Sequence, residues 1–169
     1  MQRDFLIGMP IPNATLSYLD KDGLQTIDAR AAFSDDLTLA IGIPGAFTPV
    51  CTEEHIPSLI NNAEKLKQGG YDRLLCIASN DPFVLAEWAS RLAPDSGIQF
   101  LSDGNLEFSR ALSLTSIVPE LFLGERAERY MIITRKGVIH RCKVEEHCMT
   151  LNHTHAEHAL REASDIWYV

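Results

Sequence analysis

A chain of 169 residues, 46% apolar and 22% charged, is sized for one globular core that buries roughly two-thirds of its unfolded surface. Its 23 acidic and 15 basic side chains leave a net charge of −8, which argues against a nucleic-acid partner, because phosphate binding draws on clustered Lys and Arg. No apolar run approaches the roughly 18 residues of a membrane helix, and the start M-Q-R-D-F-L-I-G-M-P is too polar for a signal peptide, so a cytoplasmic protein with no membrane partner is expected.

Taken in chain order, L-T-L-A-I-G-I at 37–43 reads as a buried strand. Residues 52–67 place Ile56, Leu59, Ile60, Ala63 and Leu66 at helical spacing. L-L-C-I-A at 74–78 is again strand-like, and 81–92 is helical, with Asp81 as cap and Pro82 in the first turn. I-Q-F-L at 98–101 gives a third strand, and L-E-F-S-R-A-L a short helix. R-Y-M-I-I-T and G-V-I-H-R-C-K-V form a hairpin, and a last helix covers 154–166. Strands alternating with helices and closed by a hairpin predict an α/β fold with a central mixed sheet flanked by helices. With no repeat or linker, residues 1–169 read as a single domain.

Cysteines stand at 51, 76, 142 and 148, with no C-x-x-C. A reducing compartment keeps them as thiols. Cys51 lies where a strand's carboxyl end feeds a helix, the usual place for reactive groups in such folds. Thr48 suits the N-cap and Pro49 the first helical position, which puts the Cys51 sulfur near unpaired N–H groups and the positive end of the helix dipole. Both favour the nucleophilic thiolate. Thr48 can also offer its hydroxyl to the sulfur or to a bound oxygen, while Pro44 and Pro49 stiffen the approach. Glu53 and Glu54 oppose a thiolate, so the site needs a cation from elsewhere. Arg126 and Arg129, both just ahead of Y-M-I-I-T, are the candidates, and the spacing does not choose between them.

Thioredoxin-type exchange uses two thiols at a helix start, and Glu54 stands where the second would be. A single activated thiol suits acyl transfer, peroxide reduction or conjugation. A cysteine hydrolase would draw its base from His55 or His140, neither of which has a recognisable setting.

P-G-A-F-T-P-V-C contains the P-x-x-x-T-x-x-C pattern of peroxiredoxins, carried by Pro44, Thr48 and Cys51. The longer G-I-P-G-A-F-T-P-V-C-T-E-E-H-I-P resembles the atypical, type II (peroxiredoxin-5-like) subfamily. A-S-N-D-P-F-V with Trp88 after it, S-D-G-N-L-E-F, and R-Y-M-I-I-T-R-K-G-V-I are similar to later blocks of that subfamily, so the resemblance spans nearly the whole chain. It implies a thioredoxin-like fold, a homodimer, no cofactor and no metal. It also implies reduction of hydrogen peroxide and organic hydroperoxides, with glutaredoxin, thioredoxin or glutathione as reductant. Cys51 would be the peroxidatic cysteine that becomes a sulfenic acid. Thr48 would hydrogen-bond the thiolate and the peroxide, and Pro44 would shield the site. Arg129 matches the catalytic arginine by its position before Y-M-I-I-T, answering the two glutamates; Arg126 has no such match. Cys76 matches a second cysteine of some plant members and is the candidate resolving cysteine. Cys148 lies in the region where animal-type members carry theirs, without aligning to it. His55 matches a family position and is expected to make a structural hydrogen bond, and Trp88 to serve packing or a dimer contact.

The tail H-C-M-T-L-N-H-T-H-A-E-H departs from the family, gathering His147, Cys148, His153, His155 and His158. Such spacing can bind zinc or copper, though solvated histidines are the simpler expectation. The rival to a peroxidase is therefore a redox-sensing or metal-binding interaction protein that works through this tail.

Overall fold

T-L-S-Y-L-D and G-L-Q-T-I-D alternate side chains around a K-D-G turn, and in the computed structural model, which describes residues 1–167, they pair as an antiparallel hairpin. These are β1 (Thr15–Asp20) and β2 (Gly23–Asp28), an element pair beyond those expected above. Gly23 takes a φ of +103° at the turn, a conformation open to glycine alone at little cost. Asp28 caps the single turn α1 (Ala29–Ala32) by accepting the Arg30 N–H.

The expected strand follows as β3 (Thr38–Ile43), buried at every position. Helical structure begins at Pro49, but the segment is not one regular helix. Cys51–His55 forms a π turn, and α2 (Ile56–Gln68) continues from it. The Ile56 N–H reaches back five residues to the Cys51 carbonyl. Pro57 supplies a physical reason: it has no N–H to give the Glu53 carbonyl four residues back, and in a regular α-helix its ring would strike that carbonyl.

β4 (Arg73–Ala78) and α3 (Pro82–Leu92) come next, with the Asp81 carboxylate accepting the N–H groups of Phe83 and Val84, as the sequence predicts. β5 (Ile98–Ser102) and α4 (Glu107–Ala111) follow. The three-residue strands β6 (Thr115–Ile117) and β7 (Glu125–Ala127) form a small separate sheet. β8 (Tyr130–Arg135) and β9 (Val138–Val144) are the expected hairpin, and α5 (Ala156–Trp167) is the last helix.

The main sheet has the order β2-β1-β5-β4-β3-β8-β9. β3, β4 and β5 run parallel at its centre, and the outer pairings are antiparallel. Its mixed character is what the strand–helix alternation and terminal hairpin predict. Period-two alternation sends Leu39, Ile41, Cys76, Met131 and Ile133 to one face under α2, α3 and α5. Ala40, Leu75, Ile77 and Ile132 go to the other, against Phe33 and Phe108. With both faces covered, each large side chain so buried contributes about 1.5–3 kcal/mol. Gly42 faces Tyr130 across the β3–β8 ladder, and a Cβ there would run into the tyrosine ring. That close approach keeps β8, and the residue just before it, tight against the end of β3.

Candidate active site

The chain leaves β3 through Pro44–Gly45–Ala46–Phe47–Thr48. The Ala46 N–H donates to Asn80 Oδ1 at 2.7 Å, tying this turn to the end of β4. Phe47 adopts a φ of +63°, a left-handed conformation that costs a side-chain-bearing residue on the order of 1 kcal/mol. Thr48 accepts the Thr52 N–H through its carbonyl, at 3.0 Å, and so starts the helix. Its hydroxyl does not cap the first turn as expected; it donates to the Gly45 carbonyl at 2.7 Å. With its proton engaged there, Thr48 Oγ1 presents lone pairs to the site.

Cys51 is fully buried in the π turn, as is Arg129 to within 2%. Arg129 precedes β8, whose Tyr130 pairs with Gly42 at the end of β3, and this register brings the guanidinium to the sulfur. Arg129 Nη2 lies 3.3 Å from Cys51 Sγ. Nε and Nη2 also donate to the Cys148 carbonyl, at 3.0 and 2.6 Å. Nη1 donates to His55 Nδ1 at 2.9 Å. Of the two arginines left open by spacing, Arg129 therefore meets Cys51, while Arg126 donates to the Leu123 carbonyl. Glu53 and Glu54 point outward and are exposed, where water screens them from the sulfur.

His55 is buried, and its Nε2 lies 2.9 Å from the Thr154 carbonyl. With Nδ1 accepting from Arg129, the ring proton sits on Nε2. Burial first, then the Arg129 charge, push its pKa down to about 3 against the opposing pull of the Thr154 carbonyl. A neutral imidazole with both nitrogens engaged is a structural partner, as expected, and is not free to act as a hydrolase base. His140 lies on the edge strand β9.

Pro44, Thr48, Pro49, Leu123, Arg129 and Met149 line an apolar pocket of about 230 Å³ at this site. Cys148, on the loop after β9, forms part of the same wall and is partly exposed. Cys76 packs in the same core cluster as Cys51. Burial, and secondarily the Cys51 charge, push its thiol well above the ordinary range. All four cysteines are free. The tail histidines make local contacts: His147 Nδ1 accepts the Met149 N–H, and His155 Nδ1 the Glu157 N–H. Among the described residues no group of three or more His, Cys, Asp and Glu side chains could hold a metal ion.

Three contributors were not assigned to the site from the sequence, although Asn80 stands in the A-S-N-D-P-F-V block. They are Asn80, which fixes the Cys51 turn; Thr154, which orients His55; and the Cys148 carbonyl on Arg129. Two of the three, Thr154 and Cys148, act through backbone carbonyls, which leave no mark in the side-chain pattern, and the Asn80 side chain lies far from Cys51 in sequence.

A fully buried cysteine at a strand-to-helix junction, with a buried guanidinium on its sulfur and no second thiol in its turn, defines a thioredoxin-like protein with a nucleophilic thiol in place of a C-x-x-C pair. The comparisons agree. The Redoxin family model matches residues 6–160. Peroxiredoxin-2D of Arabidopsis thaliana is 34% identical over 128 residues, which cover 75% of this chain and 79% of the relative. Among solved structures, reduced Prx3 from Vibrio vulnificus in complex with hydrogen peroxide has a TM-score of 0.87 at 33% identity, covering 93% of this chain and 98% of that one. Peroxiredoxin 5 from Alvinella pompejana has a TM-score of 0.82 at 25% identity, covering 94% and 97%. The chain belongs to the peroxiredoxins, within the type II, peroxiredoxin-5-like group, and is a thiol-dependent peroxidase.

Proposed function

We propose that the protein reduces hydrogen peroxide and organic hydroperoxides at Cys51, with Arg129, Thr48 and Pro44 completing the site. The observation that carries this reading is the 3.3 Å contact between Arg129 Nη2 and Cys51 Sγ at an apolar pocket. The thiolate attacks the oxygen that carries the hydroperoxide proton; the S–O bond forms as the O–O bond breaks. That proton passes to the departing oxygen, which leaves as water or an alcohol, and the sulfenate takes a proton from solvent to become the sulfenic acid. Arg129 stabilises the thiolate and the charge that develops on the departing oxygen. Thr48 Oγ1 accepts a hydrogen bond from the hydroperoxide O–H and so aligns the O–O bond with the sulfur. Pro44 and the apolar wall keep water from the sulfur.

The sulfenic acid then condenses with a thiol, forming a disulfide and releasing water. Cys76 stands as the internal thiol for this step, because it shares the Cys51 core cluster. Its burial means that the π turn must unwind first. Glutaredoxin, thioredoxin or glutathione supplies the external thiols that reset the site. Thiol chemistry of this kind fits a reducing cytoplasm and a single-domain chain. A homodimer is supported by Phe47 and Phe122, which flank the pocket-lining residues and are 54% and 94% exposed. Sedimentation at the mass of two chains tests that assembly.

Replacing the nucleophile tests the reaction itself. Cys51→Ser is expected to abolish hydroperoxide turnover with each of the three thiol donors. Full turnover in that variant would sink the reading. Peptide mapping of the oxidised wild type then separates a Cys51–Cys76 disulfide from a Cys51–Cys148 disulfide or a mixed disulfide with the donor.

A further inference from the structure

Glu145 follows β9 directly and precedes a second glutamate, Glu146. Glu145 is 7% exposed. One carboxylate oxygen, Oε1, accepts four hydrogen bonds. Three come from the N–H groups of Asn152 at 3.0 Å, His153 at 2.7 Å and Thr154 at 2.8 Å, and the fourth from the Thr154 hydroxyl at 2.9 Å. Its own N–H donates to the Arg129 carbonyl at 3.0 Å. The side chain thus closes the loop 145–154 on itself, with one end fixed to the backbone of Arg129.

That loop carries both groups that fix the Arg129 guanidinium. The Cys148 carbonyl takes Nε and Nη2 directly. The Thr154 carbonyl fixes His55 Nε2, and His55 Nδ1 in turn takes Nη1. Apart from the sulfur, every hydrogen-bond partner shown for the guanidinium among the described residues traces to the loop that Glu145 closes. Cys51 Sγ then meets a cation with no freedom to turn away.

We propose that Glu145 is a positioning residue for the Cys51 reaction, closing the 145–154 loop so that its carbonyls hold Arg129 against the sulfur. The proposal rests on Cys51 being the peroxide-reactive thiol. It also has a sign that separates it from simple charge. A carboxylate opposes a nearby thiolate through space, so removing the Glu145 charge alone would leave Cys51 equally or more reactive. Loosening the loop does the opposite, because a misplacement of about 1 Å at a reacting group can cost up to roughly a hundredfold in rate.

Two substitutions divide charge from reach. Glu145→Gln removes the charge but keeps an acceptor oxygen where Oε1 stands. Its amide nitrogen falls where Oε2 lies buried with no hydrogen-bond partner, so it is expected to lower the melting temperature. Glu145→Asp keeps the charge and shortens the reach by one methylene. Rapid mixing of each reduced variant with hydrogen peroxide, across pH, reads the rate at Cys51. The expected result is Glu145→Gln within about threefold of wild type despite its lower stability. Glu145→Asp should be at least tenfold slower, with its half-maximal rate moved to higher pH. Both variants fast, both slow, or Glu145→Gln the slower of the two would each overturn the proposal. If wild-type Cys51 itself reacts slowly, the peroxidase reading fails instead, and the two failures stay distinct.

Discussion

Arg129 resolves the conflict that Glu53 and Glu54 raise beside Cys51. Its guanidinium is buried 3.3 Å from the sulfur, whereas both carboxylates stand in water. In a dry site the nearer charge dominates. The planar fork matters as much as the charge, since it meets Cys51, His55 and the Cys148 carbonyl at once. Arg129→Lys keeps the charge and loses the fork, so its reaction with hydrogen peroxide is expected to slow by about a hundredfold in rapid mixing. A rate within threefold of wild type would contradict that role. His55 yields a second prediction, in stability. Its pKa is about 3 in the fold against 6.5 when unfolded. Below pH 6.5 the unfolded chain takes up the proton first, so His55 weakens the fold as pH falls from 6.5 toward 3 and contributes no pH dependence above that window. The slope is roughly 1.4 kcal/mol per pH unit. Urea melts at pH 7 and pH 5 measure it, and His55→Asn should flatten the difference; an unchanged slope in the variant would remove His55 from this account. Pro44, Thr48, Cys51 and Arg129, singled out in the sequence and the first three from one short motif, are brought together in the fold. The direction of the Thr48 hydrogen bond was not legible there: the residue pattern offers its proton to the sulfur or a bound oxygen, whereas the Gly45 carbonyl takes that proton and leaves Oγ1 an acceptor.

The π turn is the element on which the site depends. It begins at Cys51, and Pro57 disfavours the regular α-helix that would otherwise replace it. Pro57→Ala permits the α register, which rotates the residues N-terminal to it and moves Cys51 relative to Arg129. The expected outcome is a slower peroxide reaction with thermal stability equal to or above wild type. A variant as fast as wild type would mean that the turn is held by tertiary contacts alone. The signal was present in T-E-E-H-I-P, but apolar spacing from Ile56 to Leu66 dominates that window and hides the irregular turn ahead of it. The central strands were legible for the opposite reason: 37–43 and 74–78 are short apolar runs bounded by loops. β1 and β2 escaped notice because they lie at one end of the sheet and are at most half buried apart from Leu16, with Thr15, Asp20, Leu24, Thr26 and Asp28 exposed. β6 and β7, at three residues each, are too short to show any period.

Cys51 and Arg129 lie 78 positions apart and meet because β3 and β8 are neighbours in the sheet. No spacing rule in the sequence predicts that adjacency; the resemblance to a family supplied it, and the register from Gly42 to Tyr130 gives the physical reason. The histidine-rich tail has the reverse history. Its composition suggested a metal, yet the folded chain directs those residues into local contacts and into the loop that fixes Arg129. The tail's backbone thereby belongs to the thiol site. Folding is what turns Cys51 into a fast nucleophile toward peroxide. Reduced protein mixed rapidly with one equivalent of hydrogen peroxide, quenched, weighed intact and mapped by peptide, measures this directly. Oxidation confined to Cys51, and far faster than at the same residue in the unfolded chain, is the predicted result. A Cys51 that reacts no faster folded than unfolded would contradict it.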